Sequence, residues 1–439
     1  MSGAAYRRET TRAPAPAGLP RLLACVRADG RAVSLDAHLR RYGGPPAIRG
    51  RGAGTKLIEA VAASGLRGRG GAGFPTARKL EAVAARGGRS VVVANGTEGE
   101  PPSGKDKVLL AYLPHLVLDG AVIAARAVGA REAIVAVGRA THDVVAYAIA
   151  ERRHAQLDGG VSLRVVRVPE RFVAGEETAL VQFLGGGPAL PAFTPPRPFE
   201  RGVGGAPTLV QNVETLAHVA QIARFGPEWF RGVGAGDERG SALVTLSGAV
   251  QRPGVFEFAL GTPLRDVVAQ AGGASGELGA VLSGGYFGTW LPAREALAAP
   301  LSEAGLAPLG GALGARAIVA LPAGSCGVLE TARVVRWLAS ESAGQCGPCV
   351  HGLAAIASDL VQIARCDDRA GSRRALERRL PKLEGRGACK HPDGVVRLVE
   401  SALRVFADEV ELHVRHGRCS GRAEHAVLPL PARRPEAVR

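Results

Sequence analysis

The sequence predicts an α/β protein built in three consecutive parts: a layered α/β domain, a small β-plus-helix module and a bundle of four helices. Apolar strand-like runs alternate with helical segments between residues 46 and 236, which is typical of an α/β layer architecture. Residues 242–322 instead contain paired strands around a Pro-Gly turn, and over 331–415 apolar residues recur at helical spacing. An N-terminal extension over 1–45 precedes these parts. A Pro- and Arg-rich tail over 424–439 follows them, and we expect it to be disordered.

The first domain begins after a Gly-Gly-Pro-Pro segment at 43–46, a combination that favours a boundary. In chain order, the periodicity predicts a helix over 56–64, a strand over 90–94, a helix over 116–128, a strand over 133–137, a helix over 142–152 and a strand over 161–168. Strands that alternate with helices in this way predict a layered sheet with helices against it.

The second and third parts have sequence patterns that differ from that of the first domain. A strand over 243–250 turns at Pro253-Gly254 and returns over 255–259, and a short helix then ends at Gly272-Gly273. Helical periodicity begins at 334–338 and recurs over 353–364, 372–383 and 395–414. Four helices with short polar connections predict a bundle.

The formal charge of +15 comes mostly from arginines spread along the chain. A nucleic-acid-binding protein more often concentrates its charge in a patch interleaved with aromatic residues, so we expect no nucleic-acid partner. The charge reflects either an Arg-rich composition, which we favour, or attraction to an acidic protein partner. The sequence shows no secretory signal and no run of about 18 apolar residues, which predicts a cytoplasmic protein without a membrane span of its own.

Three of the seven cysteines form a pattern typical of a metal or redox site. Cys346 and Cys349 form a C-x-x-C, and Cys389 follows after a helical stretch. Cubane iron–sulfur clusters are usually held by four thiolates, often in a C-x-x-C-x-x-C run plus a distant fourth cysteine. Here the residue that would open the run is Ala343, so three obvious ligands remain.

Spacing alone does not identify the metal at these cysteines. Zinc, with His351 or His391 as an additional ligand, is as well supported as an iron–sulfur cluster, and a disulfide-forming pair is a third alternative. The remaining cysteines share no comparable spacing and are expected to be buried or incidental: Cys25, Cys326, Cys366 and Cys419.

Residues 65–74, with the sequence GLRGRGGAGF, form a dense glycine loop that runs into a helix over 76–85. Backbone N–H groups of such loops approach phosphates at helix N-termini. In the usual dinucleotide fingerprint the glycines follow a strand, whereas here they follow a helix, so that interpretation fits poorly. A plain turn is the alternative, but Arg67, Arg69 and Lys79 nearby favour an anion site.

Three short polar segments of the first domain are further ligand candidates. The segment 95–101 directly follows a predicted strand, where polar groups commonly face a ligand. The segment 175–178 opens a helix, so its carboxylates could equally complement the helix dipole. The segment 211–215 could equally be an N-cap. For each segment taken alone, the alternative stays open. The presence of all three segments beside a glycine loop in one domain favours a coordinated site.

With these motifs in view, the chain resembles the flavoprotein subunit of respiratory NADH:quinone dehydrogenase (complex I) from about residue 40 to residue 415. Residues 64–76 match the family's flavin-phosphate loop almost letter for letter, residues 175–180 and 207–216 match two further signatures, and residues 344–349 match its cluster motif except at the first cysteine. The resemblance implies a Rossmann-like flavin and nicotinamide domain over 46–236. It also implies a soluble-ligand-binding β-grasp (SLBB-like) module over 242–322 and a helical iron–sulfur domain over 331–415.

The resemblance also implies the cofactors and their ligands. FMN, a [4Fe–4S] cluster and NAD(P)H would be bound, and hydride would pass from NAD(P)H to FMN before single electrons leave through the cluster. The acceptor would be a ferredoxin-like or small iron–sulfur subunit, or a membrane-bound redox complex that holds the chain at the inner face of the cell membrane. The implied residues are Gly70, Gly71, Gly73 and Lys79 at the FMN phosphate; Asn95, Glu98, Gly175, Glu176 and Asn212 along the ribityl chain and ring; Phe74 on the adenine; Glu100 and Glu177 at the nicotinamide half; and Cys346, Cys349 and Cys389 on the cluster.

Several positions depart from the family pattern, mostly on the nicotinamide side. Thr97 stands where the family has Asp, Phe172 replaces a Tyr, and Ala174 replaces a Cys that most members have. Thr194 and Arg197 replace a Lys and a Phe around the Pro-Pro segment, and Ala82 stands where an aromatic residue is expected. Fewer rings for adenine stacking predict weakened NADH binding, and Arg197 could meet a 2′-phosphate and so favour NADPH.

These departures leave two functions open. The chain either oxidises NAD(P)H, or is an electron-transfer adaptor that binds FMN and a cluster but no longer oxidises NADH. A cofactor-free relic is disfavoured, because a run of conformationally permissive glycines has little reason to persist without a close ligand. For the fourth cluster ligand, the candidates are water, Ser342, or Cys326 recruited from outside the motif.

Overall fold

The computed structural model describes residues 18–431, except 28, 47, 49, 51, 237, 369 and 422–425. The α-helices are α1 (Leu35–Tyr42), α2 (Ala53–Ser64), α3 (Thr76–Ala84), α4 (Lys105–Tyr112), α5 (Pro114–Ala127), α6 (Arg139–His154), α7 (Glu177–Leu184), α8 (Val213–Phe225), α9 (Pro227–Arg231), α10 (Leu264–Gln270), α11 (Ala293–Ala298), α12 (Glu303–Leu306), α13 (Gly327–Ser340), α14 (Ala354–Ala364), α15 (Ser372–Leu383), α16 (His391–Val405) and α17 (Ala407–His416). The strands are β1 (Val91–Gly96), β2 (Glu132–Val137), β3 (Ser162–Arg167), β4 (Thr208–Asn212), β5 (Gly234–Ala235), β6 (Glu238–Arg239), β7 (Ser241–Gly248), β8 (Gly254–Ala259), β9 (Leu278–Ser283), β10 (Thr289–Pro292) and β11 (Ala317–Pro322).

The first domain is built on a parallel sheet with the strand order β3-β2-β1-β4. Strand β1 is almost entirely buried, and α5 and α8 pack against each other beside it. This order is that of a Rossmann half-sheet, in which a ligand binds beyond the carboxyl ends of the strands where the order reverses. The pairing register sets Asn95 of β1 beside Asn212 of β4 at that edge. The sheet therefore brings two of the predicted ligand segments together.

The described part of the N-terminal extension packs on this domain. Leu22 is buried, and Nε2 of His38 lies 2.7 Å from Oδ2 of Asp119 on α5. Arg152 and Arg224 also pair with Asp119. Burial works against ionisation, but these cationic and histidine partners hold the pKa of Asp119 well below its usual range. One buried carboxylate thus connects α1, α5, α6 and α8.

The second module has a mixed sheet with the order β10-β9-β11-β7-β8. Strands β7 and β8 form the predicted hairpin around the Pro-Gly turn, and β11 returns parallel to β7. The helices α10 and α11 cover this sheet, and its apolar side forms a core of its own. The predicted strand-turn-strand-helix order is present.

The C-terminal helices form the predicted helical domain, with one difference in the last helix. The sequence predicts a single helix over 395–414, whereas the structure has α16 and α17, separated at Phe406 (φ −105°, ψ 32°). The Phe406 ring packs against Gly327 and lies 5.2 Å from the Trp290 ring. We infer that this packing breaks the helix, and neither Gly nor Pro marks the break in the sequence.

The C-terminal segment also differs from the expectation of a disordered tail over 424–439. Residues 426–431 pack on the helical domain, where Leu428 is buried in its core. The backbone N–H groups of Val427 and Leu428 donate to the carboxylate of Glu330, at 3.2 and 2.9 Å. The ordering follows from these two bonds together with the burial of Leu428. Residues 424, 425 and 432–439 lie outside the described residues.

Within the described ranges, no single helix is long and apolar enough to cross a membrane. The pair α4 and α5, bent by 97° at the break between them, qualifies together on length and composition only.

Candidate functional site

A cavity of about 710 Å³ lies beyond the carboxyl ends of β1 and β4, where the first domain, the β-grasp module and the helical domain meet. Its volume falls within the range of cofactor sites. It is lined by every predicted flavin and nicotinamide residue, together with Cys389: Gly70, Gly71, Gly73, Phe74, Lys79, Asn95, Glu98, Glu100, Gly175, Glu176, Glu177 and Asn212. Cys346 and Cys349 lie outside the lining.

The glycine loop closes on itself at one wall of the cavity. The N–H of Gly68 donates to the carbonyl of Phe74 at 2.8 Å, and Gly73 adopts a positive φ of 59° that side chains rarely tolerate. A Cβ on Gly70 would lie 3.2 Å from Cβ of Asn212, so the loop packs tightly against the end of β4. This places consecutive backbone groups along the wall, as an anion-binding loop requires.

The two arginines of this loop do not both serve the cavity as the sequence suggests. The Arg69 side chain is buried and donates to the carbonyl of Ser241 at 3.0 Å, away from the cavity lining. Burial, and then the neighbouring Arg316, lowers the pKa of Arg69 to about 9. Arg69 therefore ties the loop to β7. Of the three cations that the sequence places near the loop, only Lys79 lines the cavity, where Lys105, Lys390 and Arg397 are also present.

Asn95, at the end of β1, is fixed by two neighbours. Its Nδ2 donates to the carbonyl of Gly175 at 2.9 Å, and its Oδ1 accepts from Oγ1 of Thr97 at 2.8 Å. A Cβ on Gly175 would lie 2.6 Å from Oγ1 of Thr97. Thr97, where the family pattern has Asp, thus completes a tight contact between two predicted cofactor segments.

Two predicted ligands, Glu98 and Glu176, also cap helices. Glu98 accepts from the backbone N–H groups of Asp106 and Lys107 at 3.0 and 2.9 Å, at the start of α4. Glu176 accepts from the N–H of Thr178 at 2.9 Å at the start of α7. The helix-start alternative for 175–178 is therefore realised at Glu176, and the N-cap alternative for 211–215 is realised at Asn212, which accepts from the N–H of Glu214 at 3.0 Å. These residues and Glu98 all still line the cavity.

Asn212 is held by a buried charge network that sequence reasoning missed. Its Nδ2 donates to Oδ2 of Asp106 at 2.6 Å, and Lys105 Nζ lies 2.7 Å from Asp106 and 2.9 Å from Glu214. Burial raises the pKa of Asp106 to about 7, although Lys105 opposes the shift. The signal available in the sequence was the Lys-Asp pair that follows the Glu98–Glu100 segment.

Glu100 connects the cavity to the β-grasp module. Its Oε1 accepts from the backbone N–H of Tyr286, in the loop between β9 and β10, at 2.9 Å, and a Cβ on Gly285 would clash with the carboxyl group. Burial raises the pKa of Glu100 to about 8, and the charge of Glu98 adds to the shift, in spite of this hydrogen bond. A carboxyl group whose pKa is raised by burial therefore lies at the cavity wall.

Lys79 and Glu177 face each other across the glycine-loop side of the cavity. Nζ of Lys79 lies 3.1 Å from Oε1 of Glu177 and 3.4 Å from the carbonyl of Val210. Both side chains are only partly buried, so the pair is open to rearrangement around an anion. Phe74 lies at the rim with 47% of its surface exposed, a suitable position for stacking on a planar ligand.

An aromatic cluster lies beside the cavity at the junction of the three domains. The Phe172 ring lies 4.7 Å from Phe287, 5.4 Å from Trp337 and 5.6 Å from His391, in edge-on contacts. These rings come from all three domains, and Phe172, Phe287 and His391 also line the cavity. The replacement of the family's Tyr by Phe172 thus leaves an apolar ring packed at the domain junction.

The three predicted cluster ligands, which we call the cavity-side cysteines (Cys346, Cys349 and Cys389), come together after the end of α13. Although burial opposes it, the backbone N–H groups of Ala388 and Cys349 lower the pKa of the Cys346 thiol. Burial, and then Cys346, raises the pKa of Cys349 to about 12. Burial also raises the pKa of Cys389, the ligand that lines the cavity.

Three of the additional ligands considered from the sequence do not agree with this geometry: His351, His391 and Cys326. Among the described residues, no group of three close metal-binding side chains includes the cavity-side cysteines with His351 or His391. Nε2 of His391 instead lies 2.9 Å from the carbonyl of Leu338. Cys326 precedes α13, whose 14 residues span about 21 Å, and its sulfur lies beside His413 and Cys419, which disfavours it as the fourth ligand.

The residues present fit FMN and an iron–sulfur cluster. Gln211 lines the cavity with 5% of its surface exposed, and its Nε2 has no hydrogen-bond partner among the described residues, as expected of a donor meant for a ligand. The cavity-side cysteines offer thiolates, which iron–sulfur clusters prefer. Their sulfur atoms do not all lie within 4.8 Å of one another, which suits a cluster wider than a single ion.

Three family models match the chain in the predicted order. Residues 61–221 match the Nuo51 FMN-binding domain, residues 243–282 match the SLBB domain, and residues 330–413 match the NADH-ubiquinone oxidoreductase-F iron-sulfur binding region. These matches confirm the predicted fold and the FMN and [4Fe–4S] assignments at the level of the domains.

Similar proteins cover most of the chain. The F 2 subunit of NADH-quinone oxidoreductase in Rhizobium meliloti (strain 1021) is 33% identical over 379 residues, which cover 83% of this chain and 90% of that protein. The F subunit of the same enzyme in Mycobacterium bovis (strain ATCC BAA-935 / AF2122/97) is 34% identical over 383 residues, with 83% and 85% covered. A chain of an NAD+-reducing [NiFe]-hydrogenase solved in the H2-reduced state has a TM-score of 0.77 at 33% identity over 82% of this chain, which spans only 63% of the hydrogenase chain. This chain belongs to the family of NADH-quinone oxidoreductase F subunits.

Proposed function

We propose that this chain oxidises NAD(P)H by hydride transfer to FMN and passes single electrons through a [4Fe–4S] cluster to a partner redox protein. The observation that carries the proposal is one cavity bounded by the glycine loop at one wall and by Cys389 at another. A flavin bound there would lie between a nucleotide entering past Phe74 and a cluster on the cavity-side cysteines. The names of the relatives, subunits of NADH-quinone oxidoreductase, support the same reaction.

FMN, when bound, supplies the conversion of a two-electron hydride into single electrons, and the protein supplies position and electrostatics. Lys79 and the N–H groups of the glycine loop would hold the phosphate. Asn95 and Asn212, fixed by Gly175 and Asp106, would orient the ribityl chain and ring with little loss of side-chain entropy on binding. Glu100 and Glu177 would lie at the nicotinamide half.

The choice between NADH and NADPH depends on the rim of the cavity. Phe74 is exposed there, and Phe193, with 75% of its surface exposed, precedes the Pro-Pro segment in which two family residues are changed. We propose that Phe193 replaces part of the lost adenine stacking. Arg197 is exposed near the same segment and is the candidate contact for a 2′-phosphate.

The electron acceptor would dock near the cavity-side cysteines. Cys346 is only partly buried and Val350 has 51% of its surface exposed, so the cluster would lie close to the surface. A ferredoxin-like or small iron–sulfur subunit suits such an exit, and a membrane-bound complex would hold the chain from the cytoplasmic side. For the fourth cluster ligand, water and Ser342 are the candidates.

Anaerobic addition of NADH, and separately of NADPH, to the flavin- and cluster-loaded protein tests the reaction. We expect one nucleotide to bleach the visible flavin absorbance and the other to do so more slowly. If neither nucleotide bleaches a flavin that a chemical reductant does bleach, the chain is the electron-transfer adaptor instead. That outcome keeps FMN and the cluster but rejects NAD(P)H oxidation.

A matched pair of lysine variants tests the phosphate site separately. Lys79→Gln removes a charge-assisted contact to the phosphate and should weaken FMN binding about tenfold or more. Lys56→Gln, on the exposed side of α2, should leave the FMN dissociation constant unchanged. Equal affinities in both variants would contradict the assignment of Lys79.

A further inference from the structure

Three metal-binding side chains converge at the start of α13, outside the cavity. Nε2 of His413 and Sγ of Cys326 and Cys419 all lie within 4.8 Å of one another, and no other described group of His, Cys, Asp or Glu does so. Sγ of Cys326 is 3.8 Å from Nε2 of His413. This agrees with the separation of about 3.6 Å between a sulfur and a nitrogen ligand of a tetrahedral zinc ion.

The ring of His413 is oriented by a hydrogen bond of the kind that metal-binding histidines make. Its side chain is fully buried, and Nδ1 lies 3.1 Å from the carbonyl oxygen of Ile363. Because that oxygen can only accept, Nδ1 carries the proton, and the lone pair of Nε2 is left facing Cys326. A hydrogen bond of this kind to the second ring nitrogen is typical of metal-bound histidines.

Cys326 has a backbone donor for its sulfur but needs a cation to ionise. It caps the start of α13, where its Sγ accepts from the backbone N–H of Leu329 at 3.2 Å, and such a donor stabilises negative charge on sulfur. Burial, and then the Glu409 carboxylate, nevertheless raises the pKa of this thiol well above its usual range. A divalent cation beside the sulfur reverses that balance, because a coordinating thiol is deprotonated by the metal.

The chain after α17 folds back and places Cys419 beside Cys326 and His413. Gly417 ends that helix in the left-handed conformation, with a φ of 58°. Gly421 then lies so close to Cys326 that a Cβ there would be 2.5 Å from the Cys326 backbone nitrogen. Cys419 itself is exposed, which gives an ion a route from solvent.

Cys366 is the candidate for a fourth ligand. Its backbone N–H donates at 2.9 Å to the same Ile363 carbonyl that accepts from His413, and its own carbonyl lies 3.9 Å from the Cβ position of Gly417. Cys366 has a positive φ of 58°, and its thiol is close enough to Cys419 for electrostatic interaction. The Cys366 sulfur is not within 4.8 Å of all three other donors, so its coordination requires a change of side-chain rotamer.

We propose that Cys326, Cys366, His413 and Cys419, here called the tail-side cluster, bind a structural Zn²⁺ ion. Three thiolates and one imidazole in a closed tetrahedral set are the donors typical of structural zinc, because they leave no open position for chemistry. Binding releases the thiol protons to solvent and needs no oxidant or reductant. The ion joins the start of α13, the end of α14, α17 and the tail. This proposal does not depend on the proposed redox function.

Metal analysis of the full chain tests the proposal, with Cys346→Ala and Cys349→Ala as the background so that zinc cannot occupy the cavity-side cysteines. We expect about one zinc per chain in this background. Adding Cys419→Ala should lower the zinc content more than about tenfold, because a ligand is lost. Adding Cys25→Ala, a cysteine remote from the cluster, should leave it unchanged.

Zinc below about a tenth of an equivalent in the background, or zinc unaffected by Cys419→Ala, would overturn the proposal. A Cys326–Cys419 disulfide found by mass spectrometry in zinc-free protein would overturn it in favour of a redox pair.

Cobalt substitution tests the ligand count independently of folding yield, because sulfur-to-cobalt absorption grows with the number of thiolates. Cys366→Ala should reduce that absorption by about a third, and an unchanged spectrum would reject Cys366 as a ligand.

Discussion

The cavity-side cysteines and the tail-side cluster lie toward opposite ends of α13 and differ in how the chain assembles them. Two of the cavity-side cysteines belong to one short motif beside an exposed Val350, and the third lines the flavin cavity. The tail-side donors come from separate elements, and they include a fully buried histidine with an anchored ring. By the two proposals above, one end of the helical domain would pass electrons to a partner and the other would hold the chain together.

The same contrast appears in two carboxylates that accept backbone N–H groups from remote segments. Glu100, at the cavity, accepts from Tyr286 and so ties the β-grasp module to the flavin domain. Glu330, on α13, accepts from Val427 and Leu428 and so ties the tail to the helical domain. Tyr286 links the two contacts, because its backbone N–H donates to Glu100 and its hydroxyl donates to the carbonyl of Pro429 in the tail.

The largest effect should come from removing the cavity-side thiolates. In Cys346→Ala/Cys349→Ala we expect iron and sulfide to fall more than about tenfold, because one thiolate cannot hold a cubane cluster. FMN content should remain, since neither cysteine lines the cavity. Iron, sulfide and flavin analysis of anaerobically purified protein measures this. Retained iron would contradict the assignment of these cysteines as cluster ligands, and Cys419→Ala is the control that should keep its iron.

The next effect concerns stability at the tail-side cluster. Cys419→Ala should lower the melting temperature by about 5 °C or more, because binding energy of a structural metal is folding energy. A strong chelator should lower the melting temperature of the wild-type protein similarly and that of the variant little. Calorimetry with the Cys25→Ala variant as control measures the difference. Equal melting temperatures of the wild-type protein, Cys419→Ala and Cys25→Ala would show that the tail-side cluster has no structural role.

The sequence predicts ligands that are local and misses those that the fold assembles. The C-x-x-C and the glycine loop are visible because their residues are adjacent, whereas Cys326 and Cys419 have no spacing that relates them. Gln211 belongs to the predicted segment 211–215 but is not singled out within it, and Lys105 is missed; they line the cavity through the register of β4 and the start of α4. Burial and register are properties of the folded chain, so they could not be deduced from composition or spacing.

The elements of the fold also divide into those that local sequence predicts and those that depend on distant contacts. Strands β1, β2 and β3 are predicted from β-branched runs, and their alternation with helices gives the architecture. The break at Phe406 and the docking of Leu428 depend on contacts with distant residues, Gly327 and Glu330. An Arg- and Pro-rich composition describes most of the tail, but it does not reveal one leucine that fits a core.

A smaller effect should follow from the raised pKa of Glu100. Between its ordinary value of 4.5 and about 8, the unfolded chain releases the Glu100 proton and the folded protein retains it. Folding stability should therefore fall as pH rises through this window, by roughly 1–2 kcal/mol after allowance for partial exposure. Glu100→Gln keeps an acceptor for Tyr286 but cannot titrate, so its stability should fall less with pH.

Urea unfolding of both proteins at several pH values between about 5 and about 8.5 measures this component as the difference between the two stability curves. Parallel curves would show that Glu100 ionises normally and that the cavity end has no such pH sensitivity. The Glu257→Gln variant is a suitable control, because Glu257 accepts from the backbone N–H groups of Leu22 and Leu23 and does not line the cavity.

The smallest effect should be confined to the tail. Glu330 accepts from Val427 and Leu428 and pairs with Arg333 at 2.7 Å, so Glu330→Gln replaces one of its charged acceptor oxygens with a donor. The loss of about 1 kcal/mol should speed amide exchange in residues 426–431 about fivefold. Glu377→Gln, on an exposed face of α15, should leave the exchange unchanged. If zinc also remains bound in Glu330→Gln, the tail is fastened at two independent points, whereas loss of zinc would show that the carboxylate and the tail-side cluster act as one unit.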